Sequence, residues 1–241
     1  MSNPIPGVEY VGSFAPFGAE DLSGTEAVRY QLAGIDSRPP LYHHSGLSLE
    51  DVEAGRSTFC LPIGDRWRAA DGSIPAAASV FLCDAPLGTA VLSDLGPGLV
   101  SPTAELSVFH LAPATGDRLH ADARMVWRDR TTGYSECTIT DDAGTLVSRS
   151  TTRIAISPAP PFERPGGRPV PEDFVAHHRR PVSPDVEVPY LDLQGIEVLS
   201  TRTGDAILQM ETLGWHLSPA SNLYGGTLGL FAQAALDAAA T

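Results

Sequence analysis

The apolar and polar positions of this chain fall into one pattern that is met twice. Residues 46–61 (GLSLEDVEAGRSTFCL) predict two strands about a turn at Glu53-Ala54-Gly55. The most apolar stretch follows, from Ile74 to about Val91, and predicts a helix. Ser73 is placed to cap it and Pro75 suits its first turn, whereas Pro86 should kink or end it. Four strand-like runs come next: 103–111, 118–129, 133–144 and 145–156. Their predicted turns are Pro113–Asp117, Arg130–Gly133 and Asp141–Gly144. Upstream, Gly24–Leu32 predicts a short helix capped by Thr25 or a polar residue before it.

A Pro/Gly-rich segment then interrupts the chain, and afterwards the opening pattern returns. Residues 190–213 predict two strands about Thr203-Gly204, and 222–240 predict a helix. Matching order favours a tandem duplication. The expected division is residues 1–156 (an N-terminal extension and a first domain), 157–188 (linker) and 189–241 (the start of a second domain).

Composition narrows the chemistry. The chain of 241 residues carries 16 cations and 29 acidic groups, a formal charge of −13, and every cation is Arg. Without Lys there is no Schiff-base chemistry, and the acidity excludes a general nucleic-acid binder. No apolar run is long enough for a membrane span, and the N-terminus lacks a signal-peptide pattern, so a cytoplasmic setting is expected. Cys60, Cys83 and Cys137 form no CxxC pair and are expected to be reduced and mostly buried. His43-His44 and His177-His178 are adjacent pairs that make poor joint ligands, so neither a metal nor a cofactor is assigned. Ser79 has no His in register with it, which argues against a Ser-His-Asp triad.

Three stretches resemble hotdog-fold acyl-CoA thioesterases. Residues 67–88 (WRAADGSIPAAASVFLCDAPLG) resemble the carboxylate-bearing helix of the double-hotdog medium-chain enzymes. Residues 103–156 resemble the strand meander that those enzymes share with the phenylacetate-type thioesterases. Residues 222–239 (NLYGGTLGLFAQAALDAA) resemble the helix that opens with an aromatic or His residue and two glycines. The resemblance implies an α+β fold: a tandem hotdog, each antiparallel sheet wrapped around a central helix, with the second hotdog truncated. It also implies a homo-oligomer through sheet pairing, and an acyl-CoA or acyl-carrier substrate.

The family's chemistry needs a carboxylate to activate water or attack the carbonyl, and backbone N–H groups at a helix start to hold the oxyanion. By resemblance the carboxylate is Asp84, the oxyanion turn is Tyr224-Gly225-Gly226, and Thr103 holds the attacking water. Gln233 and Pro75-Ala76-Ala77 occupy the reciprocal positions; the first is no base and Pro75 has no N–H. One composite site is therefore expected. Ser218 matches the polar residue often found before the glycines, and Thr152 stands nearest to a family Gln. Arg124 and Arg128, with Arg130, alternate along one strand and could meet CoA phosphates, although Arg paired to Asp on a solvated face is the commoner arrangement. The competing expectation is a catalytically silent hotdog that binds acyl groups or serves in an assembly. A hotdog hydratase ranks lower, because no Asp–His pair lies near Gly72 or Gly225.

Overall fold

The computed structural model describes residues 24, 25, 28, 40–158, 194–212, 216, 218 and 223–240. Strands β1 (Ser48–Glu53) and β2 (Arg56–Pro62) form the first hairpin, with Glu53 opposite Arg56. Gly55 turns it at φ 78°, a left-handed backbone that glycine adopts without a Cβ clash. A short helix, Pro40–Ser45, precedes the hairpin and was not expected from the sequence.

The central helix spans Ala76–Leu92, with Pro75 at its N-cap in an extended conformation. Ser73 does not cap it. Its N–H and hydroxyl both go to Asp71 Oδ1, and no side chain caps the helix start. Nor does Pro86 end the helix, which runs on for six residues to Leu92. A mid-helix proline costs roughly 3 kcal/mol. Burial outweighs that cost here. Phe81, Leu82 and Leu87 are fully buried, and each large apolar side chain removed from water contributes about 1.5–3 kcal/mol. Sheet side chains also hold the turns around Pro86: Ser57 Oγ donates to Pro86 O at 2.8 Å and Ser135 Oγ to Leu87 O at 2.8 Å.

After the short β3 (Leu99–Val100) come β4 (Thr103–His110), β5 (Arg118–Arg128), β6 (Thr132–Asp141) and β7 (Leu146–Ala155). β8 (Ser157–Pro158) pairs back on β3. The large antiparallel sheet has the order β1-β2-β5-β6-β7-β4. The expected four-strand meander is thus a three-strand one. β4 lies at the edge beside β7, not beside β5. Leu111 and Ala112 still bond Val147 O, so the chain stays with β7 past the end of β4 and then crosses to begin β5. At roughly 4.8 Å per strand spacing, that crossing is too wide for a tight hairpin. On β5 the inward positions Leu119, Ala121 and Ala123 are buried against the central helix, and the alternate positions face out. This α+β arrangement, an antiparallel sheet holding a buried helix, is consistent with a hotdog fold.

Downstream, β9 (Ile196–Arg202) and β10 (Asp205–Met210) form a separate hairpin about Gly204, at φ 81°. The second helix, Gly225–Ala240, packs on that hairpin and on the central helix. Of the predicted 24–32 helix, Gly24, Thr25 and Val28 are described and are helical. Thr25 Oγ1 donates to Ser93 O, tying this segment to the end of the central helix. The predicted linker beyond Pro158 lies outside the described residues. Among the described residues no helix is long and apolar enough to cross a membrane.

Candidate active site

Asp84 sits in the most buried part of the central helix, 6% exposed, flanked by the fully buried Leu82 and Cys83. A carboxylate removed from water needs donors, and the helix that carries it offers none to its side chain. Three arrive from elsewhere. The Thr103 hydroxyl, at the first residue of β4, donates to Asp84 Oδ1 at 2.7 Å. The N–H groups of Gly225 and Gly226 also donate to the carboxylate, from the first turn of the second helix. Burial pushes the Asp84 pKa up, and the Thr103, Gly226 and Gly225 bonds oppose it. The positive end of the second helix adds to them.

The glycines are there for space. A Cβ at Gly225 would stand 2.5 Å from Asp84 Oδ1, and one at Gly226 would stand 2.5 Å from Phe81 O. At Gly229, one turn further on, it would meet Val80 Cγ1 at 2.5 Å. Glycine at these three positions lets the second helix seat its N-terminal end against Val80, Phe81 and Asp84.

Tyr224 fixes the same contact. Its buried hydroxyl donates to Phe81 O at 3.0 Å and accepts the Ala85 N–H at 3.1 Å. Those are the two groups that a regular helical turn pairs with each other, so the hydroxyl sits in the turn that carries Asp84. The ring packs edge-on against Phe81 and Tyr42, with centroids 5.3 and 5.9 Å away. Burial raises its pKa well above the phenol value, so Tyr224 stays neutral at neutral pH.

Gln233, Arg124, Arg128 and Thr152 are engaged elsewhere. Ser218 is half-buried in the segment before the second helix. Gln233 Nε2 donates to Asp237 Oδ1 at 2.8 Å, one turn along its own helix. Arg124 pairs with Glu136 directly across β6 at 2.6 Å, and Arg128 Nε pairs with Asp94 at 2.6 Å. Both cations thus have carboxylate partners, the arrangement expected of a solvated sheet face. Thr152 spends its hydroxyl on Glu105 O of the neighbouring strand. Trp67 is a core residue against Phe81, while Trp127 is half exposed beside Tyr134; Trp215 lies outside the described residues.

The three cysteines are free and buried; burial holds Cys83 well above the usual thiol value and Cys137 up at about 12. His216, which the sequence reading passed over, accepts the Tyr224 N–H on its carbonyl. Burial lowers its imidazole to about 4, so it is neutral at pH 7. Each group that bonds the Asp84 carboxylate, one hydroxyl and two backbone N–H groups, is a donor to it, which is not an arrangement that selects a cation. What it does offer is a buried carboxylate against a hydroxyl and two convergent backbone donors, a combination suited to moving a proton beside a stabilised oxyanion.

Residues 77–148, from the central helix into β7, match the Thioesterase superfamily. No curated protein matches the chain significantly. Among solved structures, a putative thioesterase related to phenylacetic acid degradation from Ralstonia eutropha is 22% identical, covering 53% of this chain and 97% of its own, with a TM-score of 0.49. A thioesterase family protein from Silicibacter pomeroyi is 23% identical, covering 56% of this chain and 98% of its own, with a TM-score of 0.49. A Streptococcus mutans protein bound to acetyl-CoA is 23% identical, covering 46% of this chain and 89% of its own, with a TM-score of 0.43.

Proposed function

We propose that this chain hydrolyses an acyl-CoA thioester to the free acid and CoA at one composite site between its two helices. The observation that carries the reading is the Asp84 carboxylate meeting Thr103 Oγ1 and the Gly225 and Gly226 N–H groups. In the reaction the thioester oxygen takes the two glycine N–H groups in place of the carboxylate. Asp84, freed as a base, removes a proton from a water held by Thr103, and the hydroxide attacks the carbonyl carbon. The oxyanion rests on the glycine N–H groups at the positive end of the helix. Collapse breaks the C–S bond, and the departing thiolate takes the proton back from Asp84. Burial makes Asp84 a stronger base than an exposed carboxylate. Tyr224 positions, holding the Asp84 turn against the glycines.

In this reading the chain is two hotdog repeats, 1–156 and 189–241, joined by 157–188. The reciprocal pair is silent, since Gln233 is no base and Pro75 has no N–H. Phe109 and Leu111, both more than half exposed at the β4 edge, favour a homo-oligomer formed by sheet pairing.

A second reading has its own observation. Asp84 already holds all three donors, and Oδ1 fills the space where a Gly225 side chain would sit. That is also the arrangement of a carboxylate capping a helix in a non-catalytic acyl-binding protein.

Asp84→Asn separates the two. An Asn oxygen can accept from the glycines and its amide can donate to Thr103, so the fold is kept. Thiol release from a panel of short, medium and aromatic acyl-CoAs should fall by about 10²–10⁴-fold in the variant, with acyl-CoA binding retained. A folded wild type with no turnover across the panel overturns hydrolysis and leaves the second reading.

A further inference from the structure

The outward face of the sheet carries a second group of reactive side chains, with no part in the site above. Cys60 on β2 and His120 on β5 are directly opposite partners. Their neighbours Phe59, Leu61, Leu119 and Ala121 are buried in the core, so Cys60 and His120 share the face turned away from the central helix. Glu50 comes from β1, at the irregularity between Leu49 and Asp51. One carboxylate oxygen, Cys60 Sγ and one imidazole nitrogen lie within 4.8 Å of one another.

His120 is held from both sides. Its Nδ1 faces Glu50 Oε2 at 3.8 Å, and its Nε2 faces Asp142 Oδ1 at 3.3 Å. Asp142 is itself anchored, its Oδ2 accepting the Asp117 N–H at 2.9 Å. With a metal on Nδ1, the remote Nε2–H would be left to donate to Asp142. This is how proteins orient a metal-binding histidine.

We propose that Glu50, Cys60 and His120 bind a zinc ion, with Asp142 orienting His120. A set of one sulfur, one nitrogen and one oxygen suits zinc and not calcium or magnesium, which take oxygen ligands. Thiolate and carboxylate together balance the 2+ charge. Tetrahedral zinc needs ligand atoms about 3.4–3.6 Å apart, and the half-exposed Glu50 side chain can close the remaining gap. On binding, the Cys60 proton passes to solvent, and water completes the shell from the side on which His120 is exposed. The ion would tie β1 and β2 to β5.

The test is cobalt(II) titration of the untagged, reduced full chain, followed by displacement with zinc. One equivalent should give tetrahedral cobalt bands and a near-ultraviolet thiolate-to-cobalt charge-transfer band. Cys60→Ser should abolish the charge-transfer band, and Asp142→Asn should weaken binding by about 10–100-fold. His120→Asn, at a half-exposed position, should weaken it with the fold intact. No charge-transfer band in the wild type, or equal affinity in the wild type and Cys60→Ser, overturns the proposal.

Discussion

The two helices follow strand pairs of the same kind and have different surroundings. The central helix is buried on nearly every side, from Ala77 to Leu87 without a break. The second helix buries only Gly226, Thr227 and Leu230. The hairpins differ in the same way: β2 buries Phe59, Cys60 and Leu61, whereas β9 is exposed at every position after Ile196. Strand–strand–helix order alone therefore does not make a core; the wrapping β5–β7 strands do. The difference also divides the chemistry. The dry helix carries the carboxylate, whose ionised form burial disfavours. The open helix brings an N-terminal end whose Gly225 and Gly226 N–H groups turn outward to a negative partner instead of bonding within the helix. Each supplies what the other lacks, so the candidate site lies at their seam.

Gly225→Ala attacks that seam most directly. The new methyl would lie 2.5 Å from Asp84 Oδ1 and 2.8 Å from Cγ, so either the carboxylate or the second helix must move, and both movements part the carboxylate from its donors. Loss of an oxyanion donor costs about 10²–10³-fold in kcat, and a loss of that size is expected here by thiol release. The sheet and central helix should persist, because their core does not depend on that contact. Full activity in Gly225→Ala would break the idea that the two helices share one site.

Tyr224→Phe is a smaller change at the same seam. It leaves Phe81 O and the Ala85 N–H without the hydroxyl between them. A buried group left without its partner costs about 1–3 kcal/mol, and a lower denaturant midpoint of that order is expected. Activity should fall less than in Gly225→Ala. Unchanged stability would mean that the hydroxyl does not couple the helices.

Much of this division was legible in the sequence. Strands and turns followed from alternation and from glycines at Gly55 and Gly204. The pairing of β4 with β7 was not legible, because a period-two pattern says which face is buried and not which strand lies alongside. Pro86 does not end the helix, one of the two outcomes expected of it, because burial of Phe81, Leu82 and Leu87 outweighs propensity. Asp84, Thr103, Gly225 and Gly226 were selected by resemblance, and the structure brings all four together. The role of Tyr224 as a strut could not be read, since it depends on contact with a helix over 130 residues away. The pairing of Cys60 with His120 could not be read for the same reason: register on the sheet, not sequence spacing, makes them neighbours. Arg124 and Arg128 were found as an alternating pair, but their Glu136 and Asp94 partners belong to tertiary structure.

Thr103→Val is the mildest change, and it sharpens the comparison through pH. Asp84 takes a proton only when ionised, so hydrolysis should fail as pH drops through its pKa. Burial has already moved that value above the ordinary 3.8 of a carboxylate, while the Thr103 hydroxyl pulls it back down. Valine keeps the shape and removes the pull. The acid limb of the kcat/KM profile should therefore move to higher pH, with a modestly lower plateau. Stability carries the matching sign. For a carboxyl group whose folded pKa is raised, the protonated form favours the native state; that contribution is complete below the unfolded value and is lost as pH rises through the folded one. Thr103→Val should thus lose more stability than the wild type as pH rises above the ordinary carboxylate value. A shifted limb with unshifted stability would point to a water held by Thr103. A shift in both would make the hydroxyl a direct partner of the Asp84 carboxylate, supplied by an edge strand to a helix that has no donor of its own to spare.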